Sequence, residues 1–461
     1  MRLEDTIAAV ATAPGEAAIG VIKISGPRAL EIADAVFRAR SGVRLVNCPG
    51  FTVHYGVVWD AERGEAVDEA LATVMRAPRS YTREDVVELS CHGGPVPVSR
   101  VLQLVLSQGA RLAEPGEFTR RAFLRGRIDL IQAEATLDLV RARTEESGRA
   151  AMEQLGGQLS AEIRQLRRAL IEVLAEVEAR LDFPDEVGPL QVDQLRERVA
   201  GVRRVAEELL ATAKAGRILR EGMRVAIVGR PNVGKSSLLN ALVREARAIV
   251  TEVPGTTRDV IEEWINVRGI PVALADTAGL RDTQDPVEAE GVRRALCAVD
   301  RADLVVLVLD DSAGIQPEDV RIAKWLAGRQ SIAVVNKIDL GCDQITGEAV
   351  QDLLPGARVV RVSALRGWGI QDLETTIAQL AWDGVVVSRH KPLVTNIRHQ
   401  EALRQAVEHL SRADAGLAEG IPAELISIDL REAWECLGEM VGESVSEDVL
   451  DEIFRQFCVG K

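Results

Sequence analysis

The sequence predicts a multidomain chain: an α+β N-terminal domain, an all-α helical domain that is discontinuous in sequence, and an α/β domain inserted into it. Three observations carry this. Length is the first, since 461 residues make about three cores at roughly 150 residues each. The second is a switch near residue 128 from short Gly/Pro-punctuated apolar runs to long helical periodicity. The third is a set of fully apolar runs after Met223, alternating with helix-compatible segments, as in a parallel sheet covered on both faces. The boundaries expected are 1–120, then 121–219 together with 381–461, with 220–380 inserted.

In order along the chain, Ile19 to Ile24, Phe51 to Trp59, Ala70 to Met75 and Val86 to Leu89 read as strands, and Pro97 to Ser107 as a helix. Met152, Leu155, Leu159, Ile163, Leu166, Leu170, Leu174, Val177 and Leu181 step by three or four, giving one seam that Pro184, Gly188 and Pro189 stop. Val192, Leu195, Val199, Val202, Ala206 and Leu209 form a second seam able to fold back on the first. RVAIV, PVALAD, DLVVLVLD and SIAVVNK are the strands of the inserted domain. Helical texture returns through Ile397 to Leu410, Glu424 to Leu437 and Ser446 to Phe457.

Composition narrows the class. With 47% hydrophobic and 27% charged residues the chain is not disordered as a whole. Six cysteines, Cys48, Cys91, Cys297, Cys342, Cys436 and Cys458, show no CxxC pair, so no disulfide framework or zinc cluster is indicated and a reducing compartment fits. No run reaches 18 apolar residues, and the opening residues carry acids where a signal peptide is basic. A cytoplasmic protein with no membrane segment is expected. The net charge of −14 speaks against a general nucleic-acid surface. The Thr119 to Arg127 stretch nonetheless holds Arg120, Arg121, Arg125 and Arg127 without an acid, and Arg389, Lys391 and Arg398 form a second cluster. Each is either a salt-bridged helix face or a localised contact for RNA.

The chemistry starts at Gly229 to Ser236, GRPNVGKS, between a strand-like and a helix-like run. Backbone N–H groups of such a loop cradle phosphates, Lys235 reaches the outer phosphates and Ser236 binds Mg²⁺. DTAG (Asp276, Thr277, Ala278, Gly279) places an acid near Mg²⁺ and a glycine N–H at the γ-phosphate. NKID (Asn336, Lys337, Ile338, Asp339) ends in a carboxylate that can accept two N–H donors from guanine, which adenine does not offer. Ser363, Ala364 and Leu365 complete the base-binding set, so GTP is favoured over ATP. After DTAG stands Leu280, which cannot orient water as the Gln of Ras-type proteins does. Asp282, Asp285, Glu288 and Glu290 are the nearby candidates.

These motifs, together with DTIAAVATAPGEAAIG, VVELSCHGGPV, PGEFTRRAFLRGRIDLIQAEA, VPGTTRDV and the terminal CVGK, give the whole chain a resemblance to the MnmE (TrmE) family of tRNA-modification GTPases. The resemblance implies a nucleotide site of Asn232, Val233, Gly234, Lys235, Ser236 and Ser237 with Thr251, Glu252, Val253, Pro254, Gly255, Thr256 and Thr257. It further implies K⁺ held by Asn232, Thr251, Val253 and Thr256, Mg²⁺ held by Ser236 and Thr257, and Glu288 as the water-orienting acid. It implies a homodimer whose G domains pair. A formyl- or methylene-tetrahydrofolate is implied for the N-terminal domain, its contacts matching Lys23, Glu88, Arg127 and the C-terminal Lys461. Beyond the chain it implies tRNA as substrate and an MnmG-like flavoprotein partner carrying the FAD. The pair would add a (carboxymethyl)aminomethyl group to the wobble uridine.

Cys458 is implied in catalysis by the same resemblance, but the preceding helix presents its negative end there and disfavours a thiolate. A cation, Lys461 or one from another protein, is then required. A non-modifying GTPase switch in ribosome assembly or RNA metabolism stays as the alternative, and neither a folate nor a thiol is needed by it. An ATP-driven kinase is disfavoured by NKID.

Overall fold

The computed structural model describes residues 4–183, 191–245, 262–275, 299–382 and 392–461. Two compact units divide the chain: Met1–Leu137 with Gly438–Lys461, and Asp138–Leu437.

In the first unit β1 (Ile7–Val10), β2 (Ala17–Ser25), β3 (Phe37–Ala39), β4 (Thr52–Asp60), β5 (Glu65–Met75), β6 (Val86–Gly93) and β7 (Arg111–Leu112) make one sheet ordered β3-β4-β5-β6-β2-β1-β7. All neighbours are antiparallel except β1 and β7. Strand β5 shows the cause of the layering: Ala70, Ala72 and Val74 are buried while Leu71 between them is exposed, the period-two pattern of a sheet with one covered face. Helices Ala29–Val36 and Pro95–Ser107 cover that face, with Ile32, Val36, Val101 and Val105 packed on Ile22, Ile24, Val74 and Leu89. The four strands read from sequence are present. The helix at Ala29 and strand β1 are additions.

The contact division also differs from the expected boundaries at the C-terminus. Gly438–Lys461 belongs to the N-terminal unit rather than to the helices before it. Helix Glu447–Arg455 puts Leu450 and Phe454 into a core with Ala122, Leu130 and Leu137. The Phe118 N–H donates to the Lys461 carbonyl oxygen at 3.1 Å, and the Gly116 N–H to that of Cys458 at 3.4 Å.

The second unit joins long helices to a six-stranded sheet. Its strands are β8 (Met223–Val228), β9 (Glu262–Val267), β10 (Ile270–Ala275), β11 (Leu304–Asp310), β12 (Ser331–Asn336) and β13 (Arg358–Arg361), ordered β13-β12-β11-β8-β10-β9. All neighbours run parallel except β9 on β10. Every residue of β11 is buried, as a central strand covered on both faces requires. The first helical seam is two helices, Glu145–Leu155 and Gln158–Asp182. Gly157, at φ +84 in the left-handed region, breaks it, and Met152 lies exposed. Helix Val192–Ala211 packs on both Gln158–Asp182 and Ile397–Glu419, and Asp414 takes Arg196 at 3.0 Å and Arg203 at 3.3 Å.

Candidate nucleotide-binding site

The phosphate loop follows β8 directly, at the C-terminal ends of the parallel strands where ligands of open α/β sheets bind. Its backbone demands particular residues. Gly229 (φ +151) would drive a Cβ to 2.6 Å from the Val308 carbonyl oxygen, and Gly234 (φ +100) would drive one to 2.3 Å from Asn336 Nδ2. Asn232 adopts φ +61, a left-handed conformation that asparagine tolerates better than most residues. Helix Lys235–Glu245 then starts at the loop and points its N-terminus at the site. The Lys235 ammonium donates to the carbonyls of Gly229 (2.8 Å) and Arg230 (2.9 Å). Burial lowers its pKa, and Glu318 partly offsets this. Val233 is fully buried, whereas Asn232, Ser236 and Ser237 face solvent.

Asn336 joins this loop to the base-binding motifs. Its Nδ2 donates to the Val233 carbonyl at 2.8 Å, and its Oδ1 accepts the Ala364 N–H at 3.0 Å. Asp339 accepts the Ser363 hydroxyl on Oδ1 at 2.6 Å, which fixes the carboxylate while Oδ2 takes no hydrogen bond among the described residues. The Ile338 N–H reaches the Val362 carbonyl at 3.3 Å. Lys337, at φ +68, extends to Asp310 Oδ2 at 2.7 Å. Leu365, two residues after Ser363, is 80% exposed, an apolar side chain a planar base can cover. Three motifs lying between Gly229 and Leu365 in sequence thus converge on one end of the sheet. Residues Thr251, Glu252, Val253, Pro254, Gly255, Thr256, Thr257, Asp276, Thr277, Ala278, Gly279 and Glu288 lie outside the described residues.

Sequence reasoning missed the ion pair beneath the loop. Arg230 Nε lies 3.3 Å from Asp319 Oδ2, and the Asp319 side chain is fully buried. Burial raises the pKa of Asp319 despite the hydrogen bond it accepts from the Gln316 N–H and the charge of Arg230. The available signal was GIQPED, a Pro-and-acid helix start that Gln316 and Asp319 close as a capping box.

A second cluster forms in the N-terminal unit. Lys23 and Glu88 face each other across β2 and β6, 3.7 Å apart. The Lys23 ammonium lies 5.2 Å from the centre of the Tyr81 ring, and the Arg127 guanidinium lies 4.6 Å from it. Burial lowers the pKa of Lys23, Glu88 opposes this, and the nearby charge of Lys461 lowers it further. All four expected folate positions therefore gather around Tyr81 or Lys23. Tyr81 carries no motif in the sequence that marks it for this cluster. Cys458 is exposed, as is Cys342, while Cys48, Cys91 and Cys436 are buried. Burial raises Cys91 to about 11.

The Thr119 to Arg127 cluster is not a basic surface. Arg121 is wholly buried; it donates to Asp5 Oδ1 (2.6 Å), Glu117 Oε1 (2.9 Å) and Glu84 Oε1 (3.2 Å). Arg125 pairs with Glu84 and Arg120 with Asp451, each at 2.7 Å. The salt-bridged alternative holds for Arg120, Arg121 and Arg125, which Asp5, Glu84, Glu117 and Asp451 neutralise, whereas exposed Arg127 lies on the Tyr81 ring. In the second cluster Arg389 and Lys391 lie outside the described residues, and Arg398 donates to His399 Nε2 at 3.0 Å. Among the described residues no helix is long and apolar enough to cross a membrane.

Known proteins resemble the chain along nearly its whole length. A family model described as the MnmE helical domain matches residues 130–458, and one described as the GTP-binding protein TrmE N-terminus matches residues 6–127. The chain is 51% identical over 459 residues to a tRNA modification GTPase MnmE of Geobacillus kaustophilus, covering 99% of both chains. It is 50% identical to the protein of that name from Geobacillus thermodenitrificans, again over 99% of both. For the Bacillus subtilis protein the figure is 48%, over 99% of this chain and all of that one. With such identity along nearly its whole length, and with the phosphate loop, NKID and the CVGK tail in place, the chain belongs to the MnmE family of tRNA modification GTPases.

Proposed function

We propose that this chain hydrolyses GTP during modification of the wobble uridine of tRNA. It would do so in the cytoplasm as a K⁺-dependent homodimer, with an MnmG-like flavoprotein and a tetrahydrofolate one-carbon unit. The observation that supports this most is the Asn336 bridge, which ties the phosphate loop at Val233 to the base loop at Ala364 beside a carboxylate held by Ser363. That arrangement fits a guanine nucleotide: Asp339 Oδ2 accepts from the base, loop N–H groups bind the phosphates, and Lys235 exchanges its carbonyl partners for phosphate oxygens.

Mg²⁺ would be held by Ser236 and Thr257, and K⁺ by Asn232, Thr251, Val253 and Thr256. Such cations supply positive charge that offsets charge on the transferring phosphoryl group. Asn232 suits the role in being exposed on the loop with its backbone already turned to φ +61. Glu288 would hold the attacking water that Leu280 cannot.

In the N-terminal unit, Lys23, Arg127 and Lys461 offer cations and Tyr81 a ring to a flat, anionic folate, while Glu88 accepts from its N–H donors. The thiol of Cys458, three residues from Lys461, would act on the one-carbon or uridine chemistry. We retain the three-part division at residues 120, 220 and 380 as the functional one, with the terminal segment serving the folate part.

The test compares GTP turnover of the purified chain in KCl and in NaCl. Faster turnover in K⁺, with self-association on a transition-state analogue, is expected. Equal rates would remove the K⁺-dependent dimer, and no turnover in either salt would remove the GTPase itself.

A further inference from the structure

We infer that the stack of Arg143 on Trp264 is the contact through which the GTP site is read by the helical segment after residue 138, so that both side chains are positioning residues for the coupled reaction. This rests on the GTPase reading and deepens it. Trp264 belongs to β9, and the β9–β10 hairpin joins, in sequence, the Thr251 to Thr257 segment to DTAG, the two stretches assigned to the ions and the γ-phosphate.

The Arg143 guanidinium lies 3.4 Å from the centre of the Trp264 ring, at van der Waals contact and well inside the range of a cation–π pair. Room for the ring is made by Gly222 (φ +87), where a Cβ would come within 2.3 Å of it. The hairpin touches the same helical segment a second time at its turn. Gly269 (φ +91) sits against Glu146, where a Cβ would come within 2.7 Å of the side chain.

That segment is also fastened to the helix that runs into β8 and so towards the phosphate loop. The Ser147 hydroxyl donates to the Leu219 carbonyl at 2.6 Å, and Arg220 pairs with Asp138 at 2.8 Å. Leu219 and Arg220 lie on helix Ala213–Glu221, which passes through Gly222 into β8. Residues 138–147 therefore hold the helix that leads into β8 on one side and the β9–β10 hairpin on the other. Movement of the edge strand β9 against residues 138–147 must alter the Arg143–Trp264 stack, while β10 stays paired with β8. Two anchors on one short segment, one on the helix that leads into β8 and one on the edge strand of the hairpin, are what a reader of nucleotide state requires.

The test uses the full chain with Trp264→Leu, Trp264→Phe, Arg143→Met and Arg143→Lys. Three quantities are measured: GTP turnover, hydrogen exchange of residues 145–155 with a non-hydrolysable GTP analogue against GDP, and wobble-uridine modification in cells carrying each variant. Trp264→Leu and Arg143→Met are expected to keep turnover within about twofold yet lose modification by about fivefold or more, the lower end of site-to-site coupling. The nucleotide-dependent exchange difference is expected to vanish with them, and Trp264→Phe, which keeps a π face, to restore both. Arg143, in a turn between helices, keeps the test open if Trp264→Leu does not fold. Retained modification or a retained exchange difference in Arg143→Met overturns the inference, as does a loss of modification that merely tracks a loss of turnover. Wild-type protein that hydrolyses GTP without any exchange difference in 145–155 overturns the coupling alone, whereas wild-type protein without turnover overturns the GTPase reading beneath it.

Discussion

Replacing Asn336 by Ala isolates the joint on which the nucleotide site depends. The Asn336 side chain is 2% exposed and makes two hydrogen bonds, 2.8 Å to the Val233 carbonyl and 3.0 Å from the Ala364 N–H. Truncation leaves a carbonyl and an N–H without partners in a dry place, at about 1 to 3 kcal/mol each. Local relaxation recovers part, so about 3 kcal/mol is a fair net figure. If that cost falls on the nucleotide-competent arrangement, the Kd for a fluorescent GDP analogue rises about a hundredfold, since each 1.4 kcal/mol is a factor of ten. Asn336→Asp sharpens the test: Oδ1 can still accept from Ala364, but an anionic oxygen now faces the Val233 carbonyl. It is therefore expected to bind no better than Asn336→Ala. Equilibrium titration of both variants, with thermal unfolding alongside, is the assay. A Kd within about threefold of wild type would refute the idea that Asn336 couples the two loops, because a lost buried hydrogen bond alone costs more than that.

Asp339→Asn should reverse base preference. Its amide can donate to the 2-carbonyl of xanthine but cannot accept both guanine donors, so GTP turnover falls while xanthosine triphosphate becomes a substrate; unchanged GTP kinetics would contradict the assignment. Arg121→Met removes the buried cation shared by Asp5, Glu84 and Glu117, leaving Glu84 only Arg125 and Glu117 only Arg111, and is expected to destabilise the chain by about 3 kcal/mol in chemical denaturation. Burial acts to raise the pKa of Glu117 and of Asp5, but hydrogen bonds and charge from Arg111 and Arg121 outweigh it and hold both below their ordinary values of 4.5 and 3.8. The network therefore stabilises fully above about pH 5 and is lost as pH falls through the depressed values, so acid unfolding should be shallower in Arg121→Met. Cys458→Ser is expected to keep the thermal midpoint, since the residue is exposed and engages the fold through its carbonyl, while tRNA modification falls; a lowered midpoint would make the cysteine structural.

What sequence could read here was local. GRPNVGKS carries its own geometry, because Gly229 and Gly234 occupy backbone positions a side chain would obstruct. The strands β8, β10, β11 and β12 announce themselves as continuous apolar runs because both faces are covered. Strand β9 did not, since an edge strand with Glu263 exposed beside buried Ile265 has no such run. The heptad seam was read through Gly156 and Gly157 because Leu155 and Leu159 keep helical spacing, while the break comes from one left-handed residue. The arginine run leaves a salt-bridged face and an RNA contact equally open in sequence because its partners Asp5 and Glu84 lie 116 and 37 residues from Arg121. The same distance hid the placement of the CVGK tail, which depends on pairing with Gly116 and Phe118.

The most direct test of GTP-driven tRNA modification is nucleoside analysis of tRNA from a strain whose copy of this gene is deleted and then replaced by wild type or by Lys235→Ala. The expected result is loss of the modified wobble uridine on deletion, recovery with wild type and no recovery with Lys235→Ala. Fully modified wobble uridine in the deletion strain, or full recovery with Lys235→Ala, would contradict it.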